Sequence, residues 1–334
     1  MIKALLYEHK DRGTVTCNLC PHYCNIQPGK SGLCRVRKNI DGELFSLNSD
    51  KIVAANTDPI EKKPLFHFLP ASSVFSIASS GCNFHCDFCQ NHSISIIKNE
   101  SDITGKIIVP EELVEAALNQ NCDSIAYTYT EPTIFFELMI ETARLAKEKG
   151  IRNVIVTNGF ISPQALNMLI PLVDAANIDI KAFSDDFYKK YCGGRLEPVL
   201  DTIRAMKKSG IWLELTTLLI PKLNTDRKEL DKLTDFILDI SSDTPWHVSR
   251  FFPNYKISDA EPTNTELIED VLGNAGKKGL KYLYGGNFIS DWESTFCPSC
   301  GAELIKRKGY SVSIQNFSKG KCDKCGKEIP GVWK

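Results

Sequence analysis

From about residue 74 the chain alternates short apolar runs of strand character with longer stretches whose apolar positions recur at helical spacing. The short runs are VFSIAS (74–79), SIAYTY (124–129), NVIVTN (153–158), AANIDI (175–180), IWLELTTLLI (211–220) and WHVSRFF (246–252). Between them lie PEELVEAALNQ, IFFELMIETARLAKEKG, SPQALNMLI, LEPVLDTIRAMKKSG, DRKELDKLTDFILDI and NTELIEDVLGNAGKKG. Several of these close on Gly after a basic last turn, as a helix C-terminus prefers. The alternation predicts an α/β fold with a parallel sheet built from βα units. Six units fall short of a closed eight-fold barrel, so the expected architecture is a partial (β/α)6, TIM-like barrel, with KYLYGG (281–286) available for a short seventh strand. Ligands in parallel α/β folds bind at the carboxyl ends of the strands, so polar residues there are expected to converge on one pocket.

The barrel accounts for residues 71–290. Residues 1–70 form a cysteine-rich N-terminal extension with hairpin-like stretches around Gly42, and residues 291–334 form a separate C-terminal tail. A length of 334 residues suits one main domain with such attachments. Lys and Arg total 40 against 41 Asp and Glu, so no global field favours nucleic acid or an anionic membrane. A small-molecule or protein substrate fits better. No apolar run approaches the roughly 20 residues that span a bilayer, and the opening MIKALLYEHKDRG has no signal-peptide core before it turns charged. The cytoplasm is therefore the expected location. Of 13 cysteines, all but Cys122 and Cys192 fall into three groups, which in a cytosolic chain points to metal rather than disulfides. The two isolated cysteines read as small apolar residues.

The middle group, Cys82-x3-Cys86-x2-Cys89 in GCNFHCDFCQ, offers three thiolates directly after the first predicted strand. Four thiolates fill a [4Fe–4S] cube, whereas three leave one iron open to a ligand. The plainer alternative is a zinc knuckle that borrows His85 or His92 as its fourth ligand. Spacing and position together resemble the radical S-adenosylmethionine (SAM) superfamily. That resemblance implies a radical SAM barrel, a [4Fe–4S] cluster on Cys82, Cys86 and Cys89, and SAM chelated at the open iron. Phe84 and Phe88 would pack around the loop and shield the cluster.

The same resemblance implies SAM contacts at the later strand ends. Glu131, in Tyr127-Thr128-Tyr129-Thr130-Glu131-Pro132, stands where the superfamily has Gly-Gly-Glu-Pro, so the glutamate and proline persist without the glycines. It would meet the ammonium group; its plainer role is to start a helix. Thr157-Asn158-Gly159 and Asp179-Ile180-Lys181 are similar to stretches of glycyl-radical activating enzymes, which makes Asn158, Asp179 and Lys181 SAM-binding candidates, and His247 falls near a ribose-contacting histidine of that group. Each match alone has a local alternative, a turn for Asn-Gly and core packing for the histidine. Tyr127, Tyr129, Cys192 and Glu214 are further candidates for the pocket wall, with packing as the plainer role.

Asp58-Pro-Ile-Glu-Lys-Lys-Pro-Leu65 with His67-Phe68-Leu69-Pro70 resembles the lead-in of the pyruvate formate-lyase activating enzyme group. CNLCPHYCNIQPGKSGLCRVR, TYTEPTIF, PWHVSRFFPNYK and IPGVW resemble more narrowly the radical SAM member of the AmmeMemoRadiSam system. This implies AMMECR-type and Memo-type proteins as partners, with an electron donor such as ferredoxin or flavodoxin.

Cys297-x2-Cys300 and Cys322-x2-Cys325 have the form of two zinc-ribbon knuckles, so zinc is expected there over a rubredoxin-like iron. The tail also carries Lys306, Arg307, Lys308, Lys319, Lys321, Lys324 and Lys327, either a solvated face or an RNA contact. Cys17, Cys20, Cys24 and Cys34 supply four thiolates that satisfy zinc or an auxiliary iron–sulfur cluster alike. The functional expectation is a radical SAM enzyme, oxidoreductase-like or activase-like, that modifies a substrate the residues do not name. Activation of a glycyl-radical enzyme is the alternative within that class, and a metal-stabilised RNA-binding or scaffold protein the alternative outside it.

Overall fold

The computed structural model describes residues 1–334, and its centre is one eight-stranded sheet. In chain order the strands are β1 (Ala54–Pro59), β2 (Ser73–Ala78), β3 (Ser124–Tyr127), β4 (Arg152–Thr157), β5 (Ala175–Asp179), β6 (Trp212–Leu219), β7 (Trp246–Arg250) and β8 (Leu283–Gly286). They neighbour one another in that same order. β2 through β8 are parallel, while β1 runs antiparallel along β2 from Ala54 opposite Ala78 to Pro59 opposite Ser73. The six predicted strands are all present, and 281–286 does supply the seventh parallel strand. Parallel strands covered on both faces read as continuous apolar runs, and all four residues of β3 are buried.

Each step along the parallel sheet includes one helix of seven residues or more: α1 (Pro110–Asn119), α2 (Phe136–Glu148), α3 (Pro163–Leu169), α4 (Glu197–Lys208), α5 (Arg227–Ile240) and α6 (Thr265–Lys278). α4 buries Val199, Leu200, Ile203 and Met206, the spacing of one helical face. The Asp226 carboxylate caps α5 by accepting from the amides of Lys228 and Glu229, and α6 ends on Gly279 in the left-handed region at φ 115°. No helix is long and apolar enough to cross a membrane.

The lead-in is not a detached unit. Its hairpin of Arg37–Ile40 and Glu43–Ser46 turns at Asp41-Gly42, both with positive φ as a two-residue turn of this kind requires. Val15, Leu19 and Leu44 share one apolar core with the sheet and helices, and β1 pairs into the sheet itself. The boundary at residue 70 therefore falls inside a packed body, because main-chain pairing reaches across it.

Residues 64–69 plug the sheet toward the amino ends of its strands. The buried Glu214 carboxylate accepts from the amides of Phe66 (3.0 Å) and His67 (2.7 Å), from Trp212 Nε1 (2.9 Å), and pairs with His247 Nε2 at 2.6 Å. Pro64 O accepts from Asn177 Nδ2 at 2.8 Å. The C-terminal tail locks onto this plug: Val332 N donates to His67 O (2.7 Å), and Leu69 N to Val332 O (2.8 Å). Arg307, only 3% exposed, donates to Phe66 O at 2.7 Å and lies over the Phe66 ring. Arg307 thus leaves the set of basic surface residues; the remaining lysines of that set are exposed.

Replacing Glu214 with Ala strands two buried amides and removes the partner of His247, so a loss of about 3–5 kcal/mol is expected in urea unfolding. His67 gives a pH signature. Its Nδ1 faces Pro330 O at 2.8 Å and its Nε2 faces the Tyr284 hydroxyl at 2.6 Å, so the proton sits on Nδ1, because a carbonyl can only accept. Burial pushes this imidazole down to about 4. The unfolded chain therefore binds the proton first, and stability falls as the pH drops from about 6.5 toward 4. Between pH 7 and 4.5 the stability of the wild type relative to His67→Gln should fall by about 2–3 kcal/mol.

Candidate functional site

At the carboxyl ends of the parallel strands a cavity of about 350 Å³ is walled by Cys82, Cys86 and Cys89, by Thr128 to Glu131, by Thr157 and Asn158, by Asp179 and Lys181, and by Thr216 and Ser249. The cysteine loop leaves β2 and is pinned by main-chain bonds from His85 N to Cys192 O (2.8 Å) and from Asp87 N to Tyr191 O (3.0 Å). Phe84 and Phe88 are buried beneath it. Phe84 lies against Gly194, where a Cβ would come within 2.2 Å of its ring, so the loop seats only because that residue has no side chain. His92 stacks on Tyr255, and neither His85 nor His92 gathers with the cysteines into a single-ion site. Burial pushes the Cys82 thiol well above its usual range, so a thiolate there depends on positive charge of the kind a metal supplies.

The other expected residues are tied into the same wall. Glu131 is buried: its Oε1 accepts from Thr133 N (3.0 Å), Thr133 Oγ1 (2.6 Å) and Thr157 Oγ1 (2.7 Å), and its Oε2 accepts from Asn158 N (2.8 Å). It thereby binds the ends of β3 and β4 together and retains acceptor capacity on Oε2. Asn158 Nδ2 donates to Asn83 Oδ1 at 2.8 Å, beside Cys82. Lys181 Nζ lies 2.6 Å from Asp179 Oδ2; burial works against its charge, but Asp179 and Cys86 hold its pKa above the usual lysine range.

His247 does not belong to this wall. It is buried against Tyr284 and committed to Glu214, and the wall of β7 falls two residues later, at Ser249. Glu214 itself serves the plug. Tyr127 is fully buried and donates to Asn153 Oδ1 at 3.1 Å, and Cys192 packs behind the cysteine loop, so Tyr129 alone of the four additional candidates lines the cavity.

The lead-in contributes a group that the strand pattern does not reveal. Lys62 and Lys63 line the cavity, with Lys62 Nζ 2.7 Å from Asp58 Oδ1 and Lys63 Nζ 2.8 Å from Asp58 Oδ2. The Tyr129 hydroxyl also donates to Asp58, and Lys63 Nζ sits 4.3 Å from the centre of the Tyr129 ring. Burial would raise the Asp58 carboxyl, but the two ammonium groups and the phenol hold it far below the ordinary range; burial pushes Lys63 down to about 8. Tyr129 occupies the left-handed region at φ 62°, a conformation that costs a residue with a side chain about 1–2 kcal/mol. Its ring contacts, and the bond from Asn91 Nδ2 to its carbonyl at 2.7 Å, hold it there. The absent glycines are thus replaced by an anchored tyrosine. The only sequence signal for this group is the DPIEKKPL segment, whose place over the sheet depends on the antiparallel pairing of β1.

The tail's four cysteines come together as one group within 4.8 Å, with Cys297 Sγ 3.6 Å from Cys325 Sγ and Cys300 Sγ 3.7 Å from Cys322 Sγ. Sulfurs at about 2.3 Å from one tetrahedral ion stand about 3.8 Å apart, so this set suits a single metal ion. Cys17, Cys20, Cys24 and Cys34 surround a separate enclosed cavity.

Replacing Asp58 with Ala should destabilise the fold by about 3–5 kcal/mol by leaving Lys63 buried and unpaired. Asp58→Ala with Lys63→Met should recover at least half of that loss in thermal unfolding.

A sequence profile of the radical SAM superfamily matches residues 76–236. An uncharacterised protein of Methanocaldococcus jannaschii is 44% identical over 333 residues, covering 98% of this chain and 99% of that protein. A pyruvate formate-lyase-activating enzyme of Clostridium pasteurianum is 23% identical over 203 residues, covering 56% of this chain and 83% of the enzyme. Among solved structures, a radical SAM methyltransferase from Sphaerobacter thermophilus has a TM-score of 0.52 at 15% identity, covering 65% of this chain and 67% of that one, a likeness of fold.

Proposed function

We propose that the pocket of this chain, whose residues 76–236 match the radical SAM superfamily, binds SAM beside a site-differentiated [4Fe–4S] cluster and generates a radical that modifies a further substrate. The superfamily domain and the activating-enzyme relatives make it an enzyme. The observation that carries the reading is the convergence of Cys82, Cys86 and Cys89 with Glu131, Asn158, Asp179 and Lys181 on one cavity. Three thiolates in a buried, aromatic-lined loop suit such a cluster with one iron left for an outside ligand. When bound and reduced, the cluster supplies the electron that cleaves SAM to methionine and a 5′-deoxyadenosyl radical.

The chain's own residues position the cofactor. Glu131 Oε2 offers a carboxylate oxygen to the SAM ammonium group, and Asn158 holds the end of β4 against the cysteine loop through Asn83. Asp179 and Lys181 present a fixed ion pair for the polar groups of the nucleoside. We read the sheet as the partial (β/α)6 barrel with an added strand, the tail as a zinc ribbon, and the cell compartment as the cytoplasm. The proposed partners are AMMECR-type and Memo-type proteins, as in the AmmeMemoRadiSam system, with a ferredoxin or flavodoxin as electron donor. The relative described as a pyruvate formate-lyase-activating enzyme supports a second reading, in which the substrate is a glycyl-radical enzyme.

Anaerobically reconstituted protein given dithionite and SAM should release 5′-deoxyadenosine. The combined replacement of Cys82, Cys86 and Cys89 by Ala should reduce that release to background, and release that persists in this variant refutes the assignment.

A further inference from the structure

We propose that Cys17, Cys20, Cys24 and Cys34 hold a second, four-thiolate iron–sulfur cluster rather than a zinc ion. The molecule contains two four-cysteine sets with the same donors and different spacing. In the tail, all four sulfurs lie within 4.8 Å of one another. The N-terminal four do not form such a group, although they line a common enclosed cavity with Leu19, Ile26 and Ile134. Four thiolates on one shared ion at about 2.3 Å would stand about 3.8 Å apart, as the tail's sulfurs do, and would form such a group. A cuboidal cluster instead gives each thiolate its own iron, so its sulfurs stand farther apart. Cys82, Cys86 and Cys89 are likewise absent from any group within 4.8 Å, so the same wide spacing recurs at the loop assigned to a cluster on separate grounds.

Arg37 supplies an independent observation. It lines the same cavity at 2% exposure, with Nη1 donating to Glu137 Oε1 (2.7 Å) and Nη2 to Glu137 Oε2 (2.7 Å) and to Ile134 O (3.1 Å). Its Nε has no hydrogen-bond partner. A buried N–H left unsatisfied costs about 1–3 kcal/mol. The sulfides of a cluster are acceptors additional to the cysteine sulfurs, and hydrogen bonds to cluster sulfur are a recognised means of stabilising its charge. The set is also fixed against the barrel. Pro21 O accepts from Arg195 Nη2 at 2.7 Å, and His22 Nε2 lies 2.9 Å from Asn83 O, one residue from Cys82.

The test is the metal and acid-labile sulfide content of full-length protein purified and reconstituted without oxygen, read with Mössbauer spectra. Wild type should carry about eight irons, and the variant with Cys82, Cys86 and Cys89 all changed to Ala should keep about four irons and four sulfides. Adding Cys17→Ser and Cys34→Ser to that variant should remove them. A triple variant with two zinc ions and no sulfide overturns the proposal. If the triple variant does not fold, wild type with about four irons and two zinc ions overturns it equally, and about eight irons upholds it. The reading of the main pocket fails separately, by an absence of any effect of SAM on the wild-type cluster spectrum.

Discussion

A carboxylate buried inside a sheet must be neutralised by donors or it unfolds what surrounds it. Glu214 meets that requirement with two main-chain amides, an indole and an imidazole, and three of those four donors come from outside its own strand. The constraint fixes the segment 64–69 inside the sheet. That segment fills the amino-terminal side of the interior, and the cavity that the cysteines line lies toward the carboxyl ends. It also holds Lys62 and Lys63 at the cavity wall immediately before it, and offers His67 and Phe66 as the surface on which the tail docks. Glu214 thus ties lead-in and sheet together at the place where the tail docks, adding to the pairing of β1 and the shared apolar core, although the three look like separate units in sequence.

The three cysteine groups carry a second lesson in physical spacing. Sequence separation alone leaves zinc and iron–sulfur chemistry open, since the ligand atoms are identical. Distances in the fold distinguish two arrangements, because one ion draws its sulfurs to a common centre whereas the irons of a polynuclear cluster hold theirs apart. The tail shows the first arrangement and the two groups near the barrel do not. The exposed setting of Cys300 and Cys325 also suits a structural knuckle at the surface, while the N-terminal group is enclosed by apolar side chains.

What was legible in the sequence was what depends on short range. The parallel strands are continuous apolar runs because helices cover them, and each thiolate group is spaced by a local loop. Glu131, Asn158, Asp179 and Lys181 stand out through their resemblance to family stretches at predicted strand ends, and they share one cavity wall because the ends of neighbouring parallel strands lie side by side. The Asp58, Lys62 and Lys63 group is not legible as part of the wall, because AANTDP has no apolar alternation and its place depends on pairing with β2. His247 lies one step deeper than its resemblance implies: it shares a face with Ser249, which lines the cavity, but its own imidazole is taken by Glu214. Arg307 reads as a surface cation in a Lys-rich tail because composition cannot distinguish an exposed guanidinium from one enclosed over Phe66.

The substitution of a tyrosine where glycines are expected connects these points. Glycine reaches the left-handed region without cost but gives the backbone no anchor. Tyr129 adopts the same region and recovers the expense through its hydroxyl bond to Asp58, its face toward Lys63 and its carbonyl bond to Asn91. Two of those contacts depend on the pairing of β1 with β2, which sets Asp58 beside the end of β3, with Lys63 bonded to it. The turn that leads to Glu131 is therefore determined not by its own residues alone but by a segment some seventy positions earlier. A change at Asp58 would be transmitted to the pocket through the conformation of Tyr129, and the rim carries a ring and two ammonium groups where a glycine pair would leave bare backbone. Any substrate admitted to this cavity must pass a wall that is aromatic and cationic on that side and thiolate-bearing on the other.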